Sequence, residues 1–246
     1  MKMWKLKTCE DVKLKNPVFL EGLPGIGNVG KIIVDYILEK SVESKTICSF
    51  FSYDLPNTVF VNQDNLVNLP KIELKYAKLH EKDFLFLVGD VQPNDSKSSY
   101  LFSEKVLDKV QELGCKEIIT LGGIGLGEPP QEIKVYCTGN NKDFINKFVS
   151  KGAKDNIYGV VGPILGVTGI LLGLSKERDI KAAALLIETY NHPMHLGVKE
   201  AKQGLELLNS VYGMNICCEE LDKEIESTTE DSSSNKKNIK DVNYIG

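Results

Sequence analysis

Residues 17–40, PVFLEGLPGIGNVGKIIVDYILEK, read as a buried strand, a tight glycine turn and a helix. Val18, Phe19 and Leu20 form a short apolar run, the pattern of a strand covered on both faces. Gly22-Leu23-Pro24-Gly25 is dense turn chemistry. From Val29 onward, Val29, Ile32, Ile33, Tyr36 and Ile37 fall on one face of a helix. Asn28 is the N-cap candidate, its side chain placed to accept a bond from an orphan amide. A strand that feeds a helix this abruptly begins an α/β unit.

Working outward, the same alternation recurs. Residues 4–8 suggest an edge strand, 46–51 a second strand and 58–61 a third. Residues 71–79 set Ile72, Leu74 and Tyr76 against Lys71, Glu73 and Lys75, a half-exposed strand that is antiparallel or at an edge. Residues 84–88 are continuously apolar, as a central strand is. A helix over 99–113 stops at Gly114. Residues 117–121 are the next buried strand, opening into a glycine- and proline-rich loop over 122–130. A strand over 133–137 and a short helix over 142–150 follow. Residues 158–174 are the most apolar stretch, short of the ~20 residues a membrane span needs, and read as a buried helix. Ala182, Ala183 and Ala184 favour helix by propensity, but apolar continuity favours a strand over 180–187. Met194, Val198, Ala201, Leu205 and Leu208 make one buried helical stripe. The expected fold is a three-layer α/β/α sandwich with a largely parallel sheet. Residues 1–221 form the single domain. Residues 222–246 are almost wholly polar until Val242 and read as a flexible tail with an apolar tip, the build of a docking peptide.

Composition narrows the function. Lys plus Arg number 30 and Asp plus Glu 34, a net charge of −4 with no basic stripe, which gives nucleic acid no electrostatic grip. The six cysteines form no C-x-x-C pair, the pattern of buried, reduced thiols in a cytoplasmic protein without a zinc site. The first residues carry lysines and no apolar core, so no signal peptide is expected.

Gly25, Gly27 and Gly30 spell the dinucleotide fingerprint, with a strand before and a helix after. The competing reading is that these glycines only let the chain turn and the helix sit close to the sheet. No acid is well placed for a ribose, since Asp54 sits in a turn. Gly159, Gly162, Gly166, Gly169 and Gly173, with Pro163 near a first helical turn, are a close-packing face or an anion site at a helix start. His192 and His195 flank Pro193 in a loop and lack further zinc ligands. Asp90, Glu128 and Glu188 follow three strands and would gather at the carboxyl edge of a parallel sheet. No nucleophile accompanies them.

Several stretches together resemble the proteasome assembly chaperone 2 family in its archaeal form. They are Glu21-Gly22-Leu23-Pro24-Gly25-Ile26-Gly27-Asn28-Val29-Gly30, Gly89-Asp90-Val91-Gln92-Pro93, Gly122-Gly123, the glycine-rich run from Gly162 to Gly173, and Glu188-Thr189. The resemblance covers residues 16–211. It implies a phosphorylase/hydrolase-like fold, a homo-oligomer and a non-enzymatic role in binding proteasome α-subunits, with no cofactor. Relatives dock through a C-terminal hydrophobic–tyrosine–any tripeptide. Here Tyr244, Ile245 and Gly246 end the sequence, with the tyrosine third from the end instead of second. The alternative is a nucleotide- or phosphate-binding enzyme, ATP-grasp-like or hydrolase-like, holding its ligand at Gly25, Gly27 and Gly30 with Asp90 or Glu188 as acid or base.

Overall fold

The computed structural model describes residues 4–8 and 10–234. In chain order the strands and α-helices are β1 (Lys5–Thr8), β2 (Val18–Gly22), α1 (Val29–Lys40), β3 (Ser44–Phe51), β4 (Phe60–Val61), β5 (Val67–Asn68), β6 (Ile72–Leu79), β7 (Lys82–Gly89), α2 (Ser96–Glu112), β8 (Glu117–Leu126), β9 (Val135–Gly139), α3 (Lys142–Val149), α4 (Gly166–Glu177), β10 (Lys181–Tyr190), α5 (Val198–Tyr212) and α6 (Glu219–Ser234). One eight-stranded sheet runs β1-β3-β6-β7-β2-β8-β10-β9, and β4 and β5 make a separate ribbon. The four central strands β7, β2, β8 and β10 are parallel, with antiparallel strands added at both margins. Helices cover both faces, so the fold is the three-layer α/β/α sandwich that the alternation implied.

Strand alternation divides the core in two. Val18 and Leu20 face α1 and α5, while Phe19 faces α2 and α4. All five residues of β2 are buried, because β2 sits between β7 and β8 under helices on both sides. The segment 180–187 is a strand, β10, since it pairs with β8 and β9 at once and leaves no surface for an exposed helical face.

Several elements differ from the sequence reading. Asn28 makes no capping bond; it takes a left-handed conformation (φ 51°), which asparagine tolerates, and its amide donates to the Gly25 carbonyl at 2.9 Å. Strand β6 is antiparallel, as read, but lies inside the sheet between β3 and β7. Strand β8 runs five residues past Leu121, because β10 pairs with it to Leu126↔Tyr190. Helix α4 starts only at Gly166. Gly159 and Gly166 sit at φ 85° and 73°, outside right-handed helix, so residues 158–165 form a loop that leaves Tyr158 and Leu165 exposed. Met194 is exposed in the turn before α5. Residues 222–234, read as tail, belong to α6. Leu221 is buried and Ile225 packs against the α1–α5 side, and Lys202 reaches Asp222 at 2.5 Å. Acids in the first turn also suit the helix dipole.

The close-packing reading of the α4 glycines holds at Gly169. A Cβ there would lie 2.1 Å from the Ile164 carbonyl oxygen, whereas at exposed Gly173 it would meet nothing within 4 Å. Gly169→Ala is therefore expected to cost ~1–3 kcal/mol by overpacking, and Gly173→Ala to gain up to ~1 kcal/mol from helix propensity. Urea denaturation of the two variants checks this, and equal effects would contradict it.

Candidate functional site

Strand β2 stops pairing with β8 at Glu21↔Thr120, although β8 continues to Leu126. A cleft of about 450 Å³ opens at this carboxyl edge, beyond the end of β2. The turn at Leu23, Gly25 and Ile26 forms one wall, Gly122–Gly125 of β8 the floor, and Val160, Pro163 and Leu165 of the loop before α4 the other wall. Of the side chains lining it, only Gln92 and Thr168 are polar, and none is charged.

Two polar connections hold the walls. The Gln92 amide donates to the Pro24 carbonyl at 2.5 Å and accepts from the Val167 amide at 3.3 Å, tying the β2 turn to the start of α4. Beneath them lies Glu21, with no exposed surface. Its Oε1 accepts from the Leu23 amide at 3.0 Å and its Oε2 from the Thr168 hydroxyl at 3.1 Å. Burial nevertheless dominates and pushes its carboxyl up to about 7, against the lowering effect of these bonds. Glu21 therefore ionises far less readily than an exposed carboxyl.

The three glycines of the fingerprint have separate tasks. Gly25 lines the cleft. Gly27, at φ 63°, leaves no room for a side chain beside Thr189 Oγ1, and its carbonyl accepts from the Gly197 amide at 2.8 Å. A Cβ on Gly30 would lie 2.5 Å from the Leu121 carbonyl, so this glycine lets α1 approach β8. The acids do not converge. Asp90 accepts from the Lys71 amide at 2.9 Å. Buried Glu188 accepts from the Tyr136 hydroxyl and the Lys134 amide, each at 3.3 Å. Glu128 is exposed past the end of β8. None of the three lines the cleft. A phosphate there would meet no cationic side chain, so the structure adds nothing to the nucleotide reading.

A third buried carboxyl group, Glu200, has no place in the sequence reading. It accepts from the Thr189 hydroxyl at 3.1 Å and pairs with His195 Nε2 at 2.9 Å, fastening the turn before α5 to β10. His195 is thereby engaged, and among the described residues no group of three acid, histidine or cysteine side chains is placed to hold a metal. Cys48, Cys115 and Cys137 are buried, while Cys217 is exposed. Burial pushes the Cys115 and Cys137 thiols up to about 12, far from nucleophilic. Tyr244, Ile245 and Gly246 lie outside the described residues.

Glu21, Gln92, Gly122 and Thr168 come from four motifs scattered along the chain, and the fold brings them to one place. The sequence model of the PAC2 family matches residues 19–233. Among solved structures, Pyrococcus furiosus PbaB, described as an archaeal proteasome activator, is similar at 30% identity and TM-score 0.86 over 95% of this chain and 99% of that one. Pyrococcus furiosus PbaA, described as an archaeal homolog of proteasome-assembly chaperone, shares the fold at 22% identity and TM-score 0.77, over 94% and 90% of the two chains. The uncharacterized protein MJ1210 of Methanocaldococcus jannaschii is 29% identical over 219 residues, 89% of this chain and 82% of its own length.

Proposed function

The chain belongs to the PAC2 family, and from that premise we propose that it is a non-enzymatic assembly factor that binds proteasome α-subunits in the cytoplasm as a homo-oligomer. The similarity to PbaB across nearly the whole of both chains carries the reading. The site agrees with it. Its cleft is apolar and uncharged, its buried acids are engaged with structural partners, and burial holds the Cys115 and Cys137 thiols far from nucleophilic. Such a surface suits contact with protein better than chemistry, which needs convergent reactive groups. Among the described residues no helix is long and apolar enough to cross a membrane.

In this reading the residues of the cleft hold the walls in place, and Tyr244, Ile245 and Gly246 serve as a docking tip. The test is a pull-down in which immobilised full-length protein is offered purified archaeal α-subunits and β-subunits separately. Retention of α-subunits alone is the expected result. No retention of α-subunits at any salt concentration would overturn the assignment.

A further inference from the structure

Cys217 and Cys218 are neighbours at the joint between α5 and α6. Among the described residues Cys217 is the exposed cysteine and Cys218 is half-buried, and neither is in a disulfide. Up to Ile216 the connection is clamped. Gly213 closes α5 in a left-handed conformation (φ 63°), and Met214 and Ile216 are buried. The Asn209 side chain bonds Ile216 twice, donating to its carbonyl at 2.8 Å and accepting from its amide at 3.1 Å. From Cys218 onward the chain is engaged in α6, since the Cys218 carbonyl accepts from the Asp222 amide at 3.1 Å. The peptide between Cys217 and Cys218 therefore leads from the clamp into the helix. Its carbonyl is tied to α1, because the Tyr36 hydroxyl donates to the Cys217 oxygen at 2.7 Å.

That peptide is the one that a disulfide between neighbours would turn. Adjacent Cα atoms lie about 3.8 Å apart, closer than the roughly 4.4–6.8 Å that ordinary disulfides span. An S–S bond between them closes a tight ring that contains the Cys217 carbonyl, and closure rotates this carbonyl away from the Tyr36 hydroxyl. A strained, exposed disulfide is readily reduced, which suits a reversible modification better than a permanent link. The seat of α6 is also slight. It rests on buried Leu221, partly buried Ile225, and pairs of Glu220 with Lys40 and Asp222 with Lys202. Glu220 and Asp222 are well exposed, and pairs at such positions hold weakly.

We propose that Cys217 and Cys218 form a reversible dithiol–disulfide site, oxidised by hydrogen peroxide, whose closure unseats α6 from α1 and α5. The Cys217 thiolate attacks one peroxide oxygen and becomes a sulfenic acid. The other oxygen leaves as hydroxide and takes up the proton that Cys217 released. The Cys218 sulfur then displaces the sulfenic oxygen as a second water, and the S–S bond forms. Two thiols thus lose two electrons and two protons, and peroxide gains them in becoming water. A small dithiol reverses the step by exchange. The order follows from exposure. Burial pushes the Cys218 thiol up from its ordinary value, so Cys217 attacks and Cys218 resolves. Cys115 and Cys137, with thiols pushed up to about 12, are spared. Helix α6 carries the chain on toward Tyr244, so an effect on docking rests on the proposed function, whereas the oxidation and the release of α6 do not.

The test uses full-length protein treated with hydrogen peroxide and then blocked with N-ethylmaleimide. Peptide mass mapping should find a disulfide between Cys217 and Cys218, two hydrogens lighter than the reduced peptide and closed to the blocker. Amide hydrogen exchange in α6 should become about tenfold faster on oxidation and return to its starting rate with dithiothreitol, while α2 on the other face of the sheet stays unchanged. Cys217→Ser should show neither change. Tyr36→Phe, which lacks only the hydroxyl, should exchange faster in α6 without any oxidant. A disulfide to Cys9 or to another copy in place of the neighbouring pair would overturn the proposal. So would unchanged exchange in α6 once the disulfide has formed, a peroxide effect that persists in Cys217→Ser, or wild-type exchange in Tyr36→Phe. Neither readout involves a proteasome subunit, so the outcome stands apart from the fate of the proposed function.

Discussion

Glu21→Gln is expected to leave stability unchanged near pH 4 and to raise it by about 3 kcal/mol near pH 8. Burial holds the Glu21 carboxyl at about 7 in the folded protein, against 4.5 for the free side chain. Below both values the group is protonated in either state and contributes no pH dependence. As pH rises from about 4.5 to 7 the unfolded chain releases its proton and the folded chain retains it. Stability therefore falls across that window, by 2.303RT per pH unit for each proton retained. That slope is about 1.36 kcal/mol per pH unit, which makes the full penalty above pH 7 about 3 kcal/mol. Glutamine cannot ionise, and its carbonyl oxygen can still accept from the Leu23 amide. Urea denaturation of both proteins at pH 4, 6 and 8 measures the difference, and a difference that does not change with pH would refute a fully desolvated Glu21.

Tyr244→Ala is expected to weaken α-subunit binding about thirtyfold, the equivalent of the roughly 2 kcal/mol or more that a buried aromatic anchor contributes at an interface. The melting temperature should not move. Residues 235–246 supply only Ile239, Val242, Tyr244 and Ile245 as large apolar side chains, so truncation after residue 234 should also spare the fold while weakening the complex. Truncation after Leu221 is a different experiment. It removes Asp222 from Lys202 and Ile225 from the α1–α5 core, and a measurable loss of stability is expected. Titration of labelled α-subunits against the full-length, Tyr244→Ala and truncated proteins separates these effects. An affinity unchanged by both the substitution and the shorter truncation would remove the tip from the binding surface and leave the folded body to supply it.

The central sheet was legible because buried parallel strands must be continuously apolar, and Val18–Leu20 and Phe84–Val88 announce themselves that way. The end of β8 was not. Gly122, Gly123 and Gly125 carry no strand propensity, and only the partner β10 makes them a strand. The α4 start differs for a related reason: the apolar content of residues 158–165 outweighed Gly159 and Gly166, whose positive φ stops a right-handed helix from running through them, so that α4 begins only at Gly166. In α6 two apolar residues, Leu221 and Ile225, were enough to seat a helix that composition alone assigned to solvent. At the site, the expectation that glycine lets the helix sit close to the sheet fits Gly30, while a Cβ on Gly25 would meet nothing within 4 Å, and the acids Asp90 and Glu188 hold backbone and tyrosine instead of lining the cleft. Glu21 was visible as one letter in a motif. Its role depends on Thr168, 147 residues away, and on burial that no local pattern records.

The most direct test of a binding role without chemistry is native mass spectrometry of the full-length protein mixed with proteasome α-subunits in a nucleotide-free, metal-chelated buffer. A discrete complex of the two, with its abundance unchanged when ATP and magnesium are added, is the predicted result. No complex under either condition, or a complex that forms only with nucleotide, would contradict it.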